Sequence, residues 1–519
     1  MKKLMQLNAP KQANDYKQEI VNHPLELQDN LLKNLIQTAK RTVFGQDHNF
    51  NLIRNYDDFK NSVPVRCYND FFKYWDLILQ RKSNILWPGL PDFLIASSAS
   101  TGTQKILPAT EQFLKNFTTS IDTVIYQYIY DTKDFGLLDG KFMNFTGSST
   151  LKDYCGYQIG AISGIVRNIM PLHLIPDTLP SKKALDLMDT AGWDAMFEQA
   201  AIEAMEKNVT FCSGLPSWMM QFFNSCLKIT NKKTLKYILP NLRLLLTSGV
   251  NYKPYLFQFN NLFDNAIAIR EIYAASEGVF AYQDTSQDNG LLLNISKGIY
   301  YEFIELSQFT SYLESGLEAN NTSINFNLNH SRINLTDIKV SVPYVMIVNT
   351  CAGLWSYQVG DIIEFTSTNP FRIRVLGRTN HFISIQTEHV YAQHVEAALK
   401  EVNDRLKIEI TNFTIAPNDF NDKTMPHHIW YIETPDYHGI NLISLAEKLD
   451  SALQITSSGY EKGRKRNSLG KAQVVLLKNG AFLKYLATKN SSSLQLKVPK
   501  VSNDRSIAEF LINNNLVIN

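Results

Sequence analysis

Hydroxyl side chains, a glycine and a lysine crowd into Ser97-Ser98-Ala99-Ser100-Thr101-Gly102-Thr103-Gln104-Lys105-Ile106-Leu107-Pro108. That composition suits a loop wrapped around phosphates. Small residues let the backbone come close, and hydroxyls and amide N–H groups donate hydrogen bonds. The apolar run Phe93-Leu94-Ile95-Ala96 before it reads as a strand, and a helix is expected from Glu111, whose N-terminus would add positive dipole. Neither G-x-x-x-x-G-K-[ST] nor G-x-G-x-x-G occurs, so the two common glycine-rich nucleotide loops are excluded. Taken alone, such a cluster also fits an ordinary turn.

Three further groups can carry chemistry. In Glu271-Ile272-Tyr273-Ala274-Ala275-Ser276-Glu277-Gly278, a strand-like segment runs into Ser-Glu-Gly. A carboxylate at a strand end is a plausible Mg²⁺ ligand facing phosphates, and an aromatic upstream can lie against a purine. The plainer reading makes Tyr273 core, Ser276 a cap and Glu277 solvated. In Gly353-Leu354-Trp355-Ser356-Tyr357-Gln358-Val359-Gly360-Asp361, the Asp can accept two hydrogen bonds from a ribose diol, or be a turn Asp. Near the C-terminus, Lys497 in Gln495-Leu496-Lys497-Val498-Pro499-Lys500 is of interest only if a small domain swings over a large one.

The elements that must position these residues fill 519 residues, enough for two or three domains. With 44% apolar and 11% aromatic residues the chain is globular rather than disordered. A net charge of +2 makes no case for nucleic acid or an anionic membrane. Lys2-Lys3 precede no apolar run, so no secretory signal is expected, and 160–175 is too short and polar to span a bilayer. Cys67, Cys155, Cys212, Cys226 and Cys351 show no C-x-x-C spacing; reduced buried thiols in a cytoplasm are expected.

An apolar stripe from Leu25 to Ile36 predicts one helix over 13–40. From 93 to about 375, strand-like runs alternate with helical ones, predicting a mixed α/β domain. After Gly377-Arg378 the texture changes to a small α+β unit, with strands near 407–416, 427–434 and 472–477 and a helix near 440–455. The boundary is expected between Gly377 and Ser384. The basic run Lys462-Gly463-Arg464-Lys465-Arg466 reads as a solvated loop. His389 and His394, five apart, suit no single helical face, so with His381 they predict packing rather than a metal site.

The four groups, in this order and spacing, resemble those of the acyl-acid amido synthetases of the Gretchen Hagen family. These are plant auxin- and jasmonate-conjugating enzymes and their bacterial relatives within the adenylate-forming superfamily; the chain looks like a bacterial-type member. The resemblance also includes Phe44-Gly45-Gln46-Asp47-His48, Val63-Pro64-Val65-Arg66, Leu86-Trp87-Pro88-Gly89 and Gly214-Leu215-Pro216-Ser217-Trp218. It implies a large N-terminal domain of mixed sheets and helices (1–377), a hinge (378–384) and a small mobile α+β C-terminal domain (385–519). It implies adenylation of a carboxylic acid by ATP with Mg²⁺, then transfer to an amine, expected to be an amino acid. Ser97, Ser98, Ser100, Thr101, Gly102 and Lys105 match the phosphate loop. Ser248 and Gly249 match a loop beside adenine, Tyr273, Ala275 and Ser276 residues near adenine and the α-phosphate, and Glu277 the Mg²⁺-linked carboxylate. Asp361 matches the ribose Asp, Arg378 the hinge and Lys497 a late lysine; with Lys105 and Glu277, Lys497 is expected to be catalytic. Trp218 and Ser163 are candidates for the acyl-pocket wall, with a core role equally open.

The chain departs from the pattern at Ala99, Ser356 (where arginine is common), Thr387 and Lys500 (where arginine is usual). A monomer binding neither nucleic acid nor membrane is expected. An acyl-CoA synthetase-like ligase with a thiol acceptor, a silent nucleotide- or acyl-binding relative and a host-directed protein conjugating a signalling acid stay open as alternatives.

Overall fold

In the computed structural model the first helix, Lys2–Asn22, gives way at His23 to a second, Pro24–Ala39. The single helix expected over 13–40 is therefore two, because Pro24 sits at a helix start, where its missing N–H is harmless. The buried stripe of the second helix is Gln28, Leu32, Leu35, Ile36 and Ala39, while Leu25 is exposed. Gln28 is tolerated there because its amide caps strand edges. It donates to the Ile299 carbonyl at 3.0 Å and to that of Ile295, and accepts from Tyr301 N–H at 2.9 Å.

The structure describes the chain apart from residues 1, 98–104, 171–177, 250–251, 264–266, 288, 310–325, 380–381, 384, 386–387, 389, 407, 409, 420–423, 436–438, 489–497, 503–504 and 519. The described residues form two compact units, the first taking residues up to 359 and 364–374, the second 360–363 and 375 onward.

The strands up to the C-terminal unit are β1 (Phe93–Ser97), β2 (Lys105–Ala109), β3 (Lys141–Asn144), β4 (Lys152–Tyr154), β5 (Tyr157–Gly160), β6 (Thr178–Leu179), β7 (Val209–Gly214), β8 (Leu244–Ser248), β9 (Ala268–Ala275), β10 (Gly278–Tyr282), β11 (Leu291–Leu293), β12 (Ile299–Glu305), β13 (Pro343–Thr350), β14 (Tyr357–Thr368) and β15 (Phe371–Arg378). One sheet has the order β2-β1-β5-β4. Here the structure corrects the expectation of strand, loop, helix: Lys105–Ala109 is a strand paired antiparallel to β1, with Ser97 opposite Lys105. The helix Glu111–Thr132, capped by Thr110, begins only after it, so its dipole lies one strand away in the chain from residues 98–104. Pro108 is accommodated because β2 is an edge strand.

The large sheet has the order β12-β13-β14-β15-β11-β10-β9-β8-β7-β3-β6. Its β3, β6, β7, β8 and β9 run parallel; from β9 to β10 pairing turns antiparallel. β7 and β8 are buried along almost their whole length, as expected of strands covered on both faces. The helices Trp193–Glu206 and Pro216–Thr230 supply much of that cover, packing Met196, Phe197, Met219, Phe222 and Phe223 with Leu245 into one core cluster. The first helix is tied to the sheet by a buried ion cluster. Asp284 receives Arg372 at 2.6 and 2.9 Å and Lys17 at 2.9 Å. Burial alone would raise the Asp284 carboxyl, but these two cations hold it below the usual range.

The motif Phe44–His48 builds a packed corner. His48 Nδ1 donates to the Phe44 carbonyl at 2.9 Å, leaving Nε2 to accept from Arg66 Nη2 at 2.6 Å. Burial, reinforced by the Arg66 charge, pushes the imidazole down to about 4, so the ring stays neutral and stacks on Phe44 with centroids 4.0 Å apart.

In the second unit β16 (Phe382–Ile383) pairs with β17 (Val390–Tyr391), and β18 (Asn412–Pro417), β19 (His428–Glu433), β20 (Gln473–Leu477) and β21 (Val517–Ile518) form a sheet in that order. The helix Leu442–Thr456 packs Leu445, Leu449 and Leu453 into its core. The basic run is not a loop: Ser458–Lys465 is a helix capped by Ser457, and Arg464 turns inward to Asp450 at 3.1 Å. Cys212, Cys226 and Cys351 are buried free thiols as expected, but Cys155 is exposed. His394 accepts from Tyr391 N–H at 3.2 Å, and no metal-binding cluster occurs among the described residues. His381 and His389 lie outside them.

Candidate functional site

The carboxyl ends of β7, β8 and β9 lie side by side, with Gly214 opposite Thr247 and Ser248 opposite Ile272. Crevices at such ends, where strand direction changes, are the usual ligand sites of open α/β sheets. Ser248 ends β8 half-buried, and Gly249 follows at φ +75°, a conformation that favours glycine. One strand over, Tyr273 is half-buried rather than core, with its ring 5.0 Å from that of Phe280. A half-buried aromatic ring next to a glycine turn has the chemistry to accept a purine.

β9 ends at Ala275, and the two-residue turn Ser276-Glu277 leads straight into β10, with Ala275 opposite Gly278. Gly278 has φ +153°, and a Cβ there would meet Ile299 Cδ1 at 2.5 Å, so the turn needs glycine. Glu277 is only 7% exposed, which overturns the solvated reading. A carboxylate held down on a tight turn at this edge has the chemistry of a hard-cation ligand: oxygen donor, fixed backbone, restricted hydration.

Lys105, the first residue of β2, donates from Nζ to the Tyr357 hydroxyl at 3.1 Å. Ser97, its strand partner, is half-buried; Ser98, Ser100, Thr101 and Gly102 lie outside the described residues, as does Lys497.

Asp361 and Arg378 belong to the second unit and meet there, Arg378 Nε lying 2.9 Å from Asp361 Oδ1. Gly360 precedes the Asp at φ +90°, and its carbonyl accepts from Thr379 N–H at 2.8 Å, bringing the two chain segments together. Asp361 is 8% exposed. A buried carboxylate with one oxygen toward a guanidinium keeps acceptor capacity for hydroxyls.

Ser356, just before Tyr357, has φ +44° and is fully buried. A non-glycine residue there costs on the order of 1–3 kcal/mol. Every polar atom of Ser356 is used: N–H donates to Asn349 Oδ1 (2.6 Å), the carbonyl accepts from Arg66 N–H (2.9 Å), and Oγ accepts from Arg332 Nη1 (2.5 Å) and donates to Glu302 Oε2 (3.0 Å). Ser356, where the resemblance leads one to expect arginine, thus carries no guanidinium of its own but binds that of Arg332. Arg332 also bridges Glu302 and the carbonyls of Lys60 and Val63. Both ionic side chains are fully buried, so Arg332→Met leaves Glu302 stranded. It should lower unfolding stability by about 3–5 kcal/mol in a urea titration. A loss below 1 kcal/mol would mean that the cluster does not hold this corner.

The two pocket-wall candidates have structural partners. Trp218 is buried in the core of the first unit against Trp193, centroids 4.8 Å apart. Ser163, half-buried, accepts from Gly147 N–H at 3.0 Å. Lys500 donates to Asn412 Oδ1 at 2.8 Å with its ammonium 4.4 Å from the Phe413 ring centre, and burial pushes its amine down to about 8. Local pattern gives no sign of Arg332, nor of Tyr68, whose hydroxyl accepts from the N–H of Ile106 next to Lys105 at 2.9 Å. The partners of Arg332 lie 24, 30, 269 and 272 residues away, so no local pattern announces it.

Three family models match the chain in order: the GH3 family N-terminal domain over residues 17–192, central domain over 292–378 and C-terminal domain over 391–506. A jasmonoyl–L-amino acid synthetase of Nicotiana attenuata, JAR6, is 22% identical over 89% of this chain and 87% of its own length. A 4-substituted benzoates–glutamate ligase of Arabidopsis thaliana, GH3.12, is 22% identical, covering 93% of each. Among solved structures, AtGH3.15 acyl acid amido synthetase in complex with 2,4-DB matches with a TM-score of 0.78 at 16% identity, over 98% of this chain and 96% of that one. A 2-hydroxyisobutyryl-CoA ligase in the postadenylation state matches with a TM-score of 0.56 at 13% identity, over 94% and 90%. These likenesses establish the fold: a mixed α/β chain with a large N-terminal and a smaller C-terminal domain, as the sequence predicts.

Proposed function

The chain belongs to the GH3 family, and on that premise we propose that it is an ATP-dependent acyl acid amido synthetase. It activates a carboxylic acid and joins it to an amino acid. The single observation that carries the reading into this chain's chemistry is the buried carboxylate of Glu277 on the turn leaving the last parallel strand.

In the first half-reaction a carboxylate oxygen of the acid forms a bond to the α-phosphorus of ATP, and the bond from that phosphorus to the bridging oxygen of pyrophosphate breaks. The protein's part is positioning and neutralisation of charge. Tyr273 and Ser248-Gly249 receive the adenine, Asp361 accepts from the ribose hydroxyls, and Lys105 faces the departing pyrophosphate. Each well-placed donor lowers the barrier by roughly 3 kcal/mol. Glu277 fits Mg²⁺: it is an oxygen donor on a rigid turn, and the ion, when bound, neutralises phosphate charge. In the second half-reaction the amine nitrogen bonds to the acyl carbon, AMP leaves and the amine gives up a proton. Exclusion of water protects the mixed anhydride meanwhile.

The acid itself is set by apolar walls that no motif names. ATP–pyrophosphate exchange over indole, jasmonate-like, benzoate-like and fatty acids tests the reading. Exchange with one class is the expected result; ATP binding without exchange with any acid would favour a silent relative.

A further inference from the structure

Lys105 is held in a way its proposed task does not require by itself. Its ammonium donates to the Tyr357 hydroxyl at 3.1 Å and lies 5.6 and 5.9 Å from the ring centres of Tyr357 and Tyr68. Tyr68 in turn accepts from the N–H of Ile106, the residue after Lys105, at 2.9 Å, so one tyrosine fixes the backbone and the other the side chain. Among the described residues no carboxylate pairs with Lys105. That matters physically. A carboxylate would orient the ammonium but cancel its charge, whereas hydroxyl and aromatic faces orient it and leave the charge whole. A lysine carries four rotatable bonds, and holding it beforehand removes an entropic cost of about 2 kcal/mol from the moment of binding.

Both tyrosines are themselves locked. The Tyr68 ring stacks on Trp75 at 5.7 Å and 27°, and Trp75 Nε1 donates to the Tyr68 carbonyl at 3.2 Å. Tyr357 is fully buried and follows Ser356, the residue pinned by Arg332, Glu302, Asn349 and Arg66. The pinned turn at Ser356 thereby holds the backbone from which Tyr357 projects.

We propose that Tyr357 and Tyr68 are positioning residues that present the Lys105 ammonium, uncancelled, to the β- and γ-phosphates of ATP. This rests on the reading of Lys105 given above. The test is calorimetric binding of Mg·ATP and of AMP to the full chain, which needs no acid substrate. Tyr357→Phe keeps the ring and removes one hydrogen bond to a charged group; it should weaken Mg·ATP about tenfold and leave AMP unchanged. Tyr68→Phe should weaken Mg·ATP about threefold, again sparing AMP. In the Lys105→Ala background, Tyr357→Phe should cause no further loss. Equal losses for ATP and AMP, or the same tenfold loss without Lys105, would make Tyr357 merely structural and overturn the proposal. If Lys105→Ala weakens ATP while Tyr357→Phe does nothing, the tyrosine cradle falls and the reading of Lys105 stands. If Lys105→Ala leaves ATP binding intact, both fall together.

Discussion

Glu277→Ala should reduce ATP–pyrophosphate exchange by about 10²–10³-fold, the size of effect seen when one preorganised charge-stabilising group is removed. Its melting temperature should stay within a few degrees of the parent protein. The separation of these two effects follows from the turn. Ser276-Glu277 sits between paired strands whose register is held by Ala275 and Gly278, and Gly278 supplies the conformation the turn needs. Strand pairing and the glycine conformation are backbone features, and they persist when the side chain at 277 is shortened. Glu277→Gln sharpens the point, because it keeps the size and one acceptor oxygen while it removes the charge and turns the second oxygen into an N–H donor. If the glutamine variant is as slow as the alanine variant, the negative charge is what the reaction uses. Full activity in either variant would remove Glu277 from the metal site.

Asp361→Ala should raise the KM for ATP about 30-fold and leave the KM for the acid unchanged. Hydrogen bonds to a charged acceptor are worth about 1.5–3 kcal/mol, and two of them would give more than this. The carboxylate is already engaged by Arg378 at 2.9 Å, so the ribose must share it, which offsets part of the gain. The ion pair adds little by itself, since the Arg378 side chain is 37% exposed and such pairs contribute at most about 1 kcal/mol. A ribose lacking both hydroxyls provides the control. With 2′,3′-dideoxy-ATP the parent protein should already be weakened, and Asp361→Ala should add nothing. An unchanged KM for ATP in the variant would take Asp361 out of the nucleotide site.

Much of this was legible from local pattern, and the parts that were not share a cause. The buried strand Leu244–Ser248 announces itself through its run of leucines, because a strand covered on both faces needs no alternation, whereas Val209–Gly214, with Thr210 and Ser213 among its residues, carries no such signal. The motif leading to Glu277 is legible for a similar reason: a turn glycine after a carboxylate is a local signal. The strand Lys105–Ala109 hides in loop-like composition, since its lysine and proline lower its strand character. Only pairing with Phe93–Ser97 makes it a strand. Gln28 in an apolar stripe, Arg332 behind Ser356 and Arg464 against Asp450 are long-range solutions to buried hydrogen-bonding needs. Their partners are remote in sequence, so propensity and periodicity carry no trace of them. The same holds for Tyr357 and Lys105, 252 residues apart.

The most direct measurement of the central claim is product analysis after incubation with ATP, Mg²⁺, the acid that supports exchange and a mixture of amino acids, with coenzyme A in a parallel reaction. The account predicts AMP, pyrophosphate and an acid–amino acid amide in equal amounts, with nucleotide turnover dependent on acid and amino acid together. ADP with inorganic phosphate, or a coenzyme A thioester as the only acyl product, would contradict it.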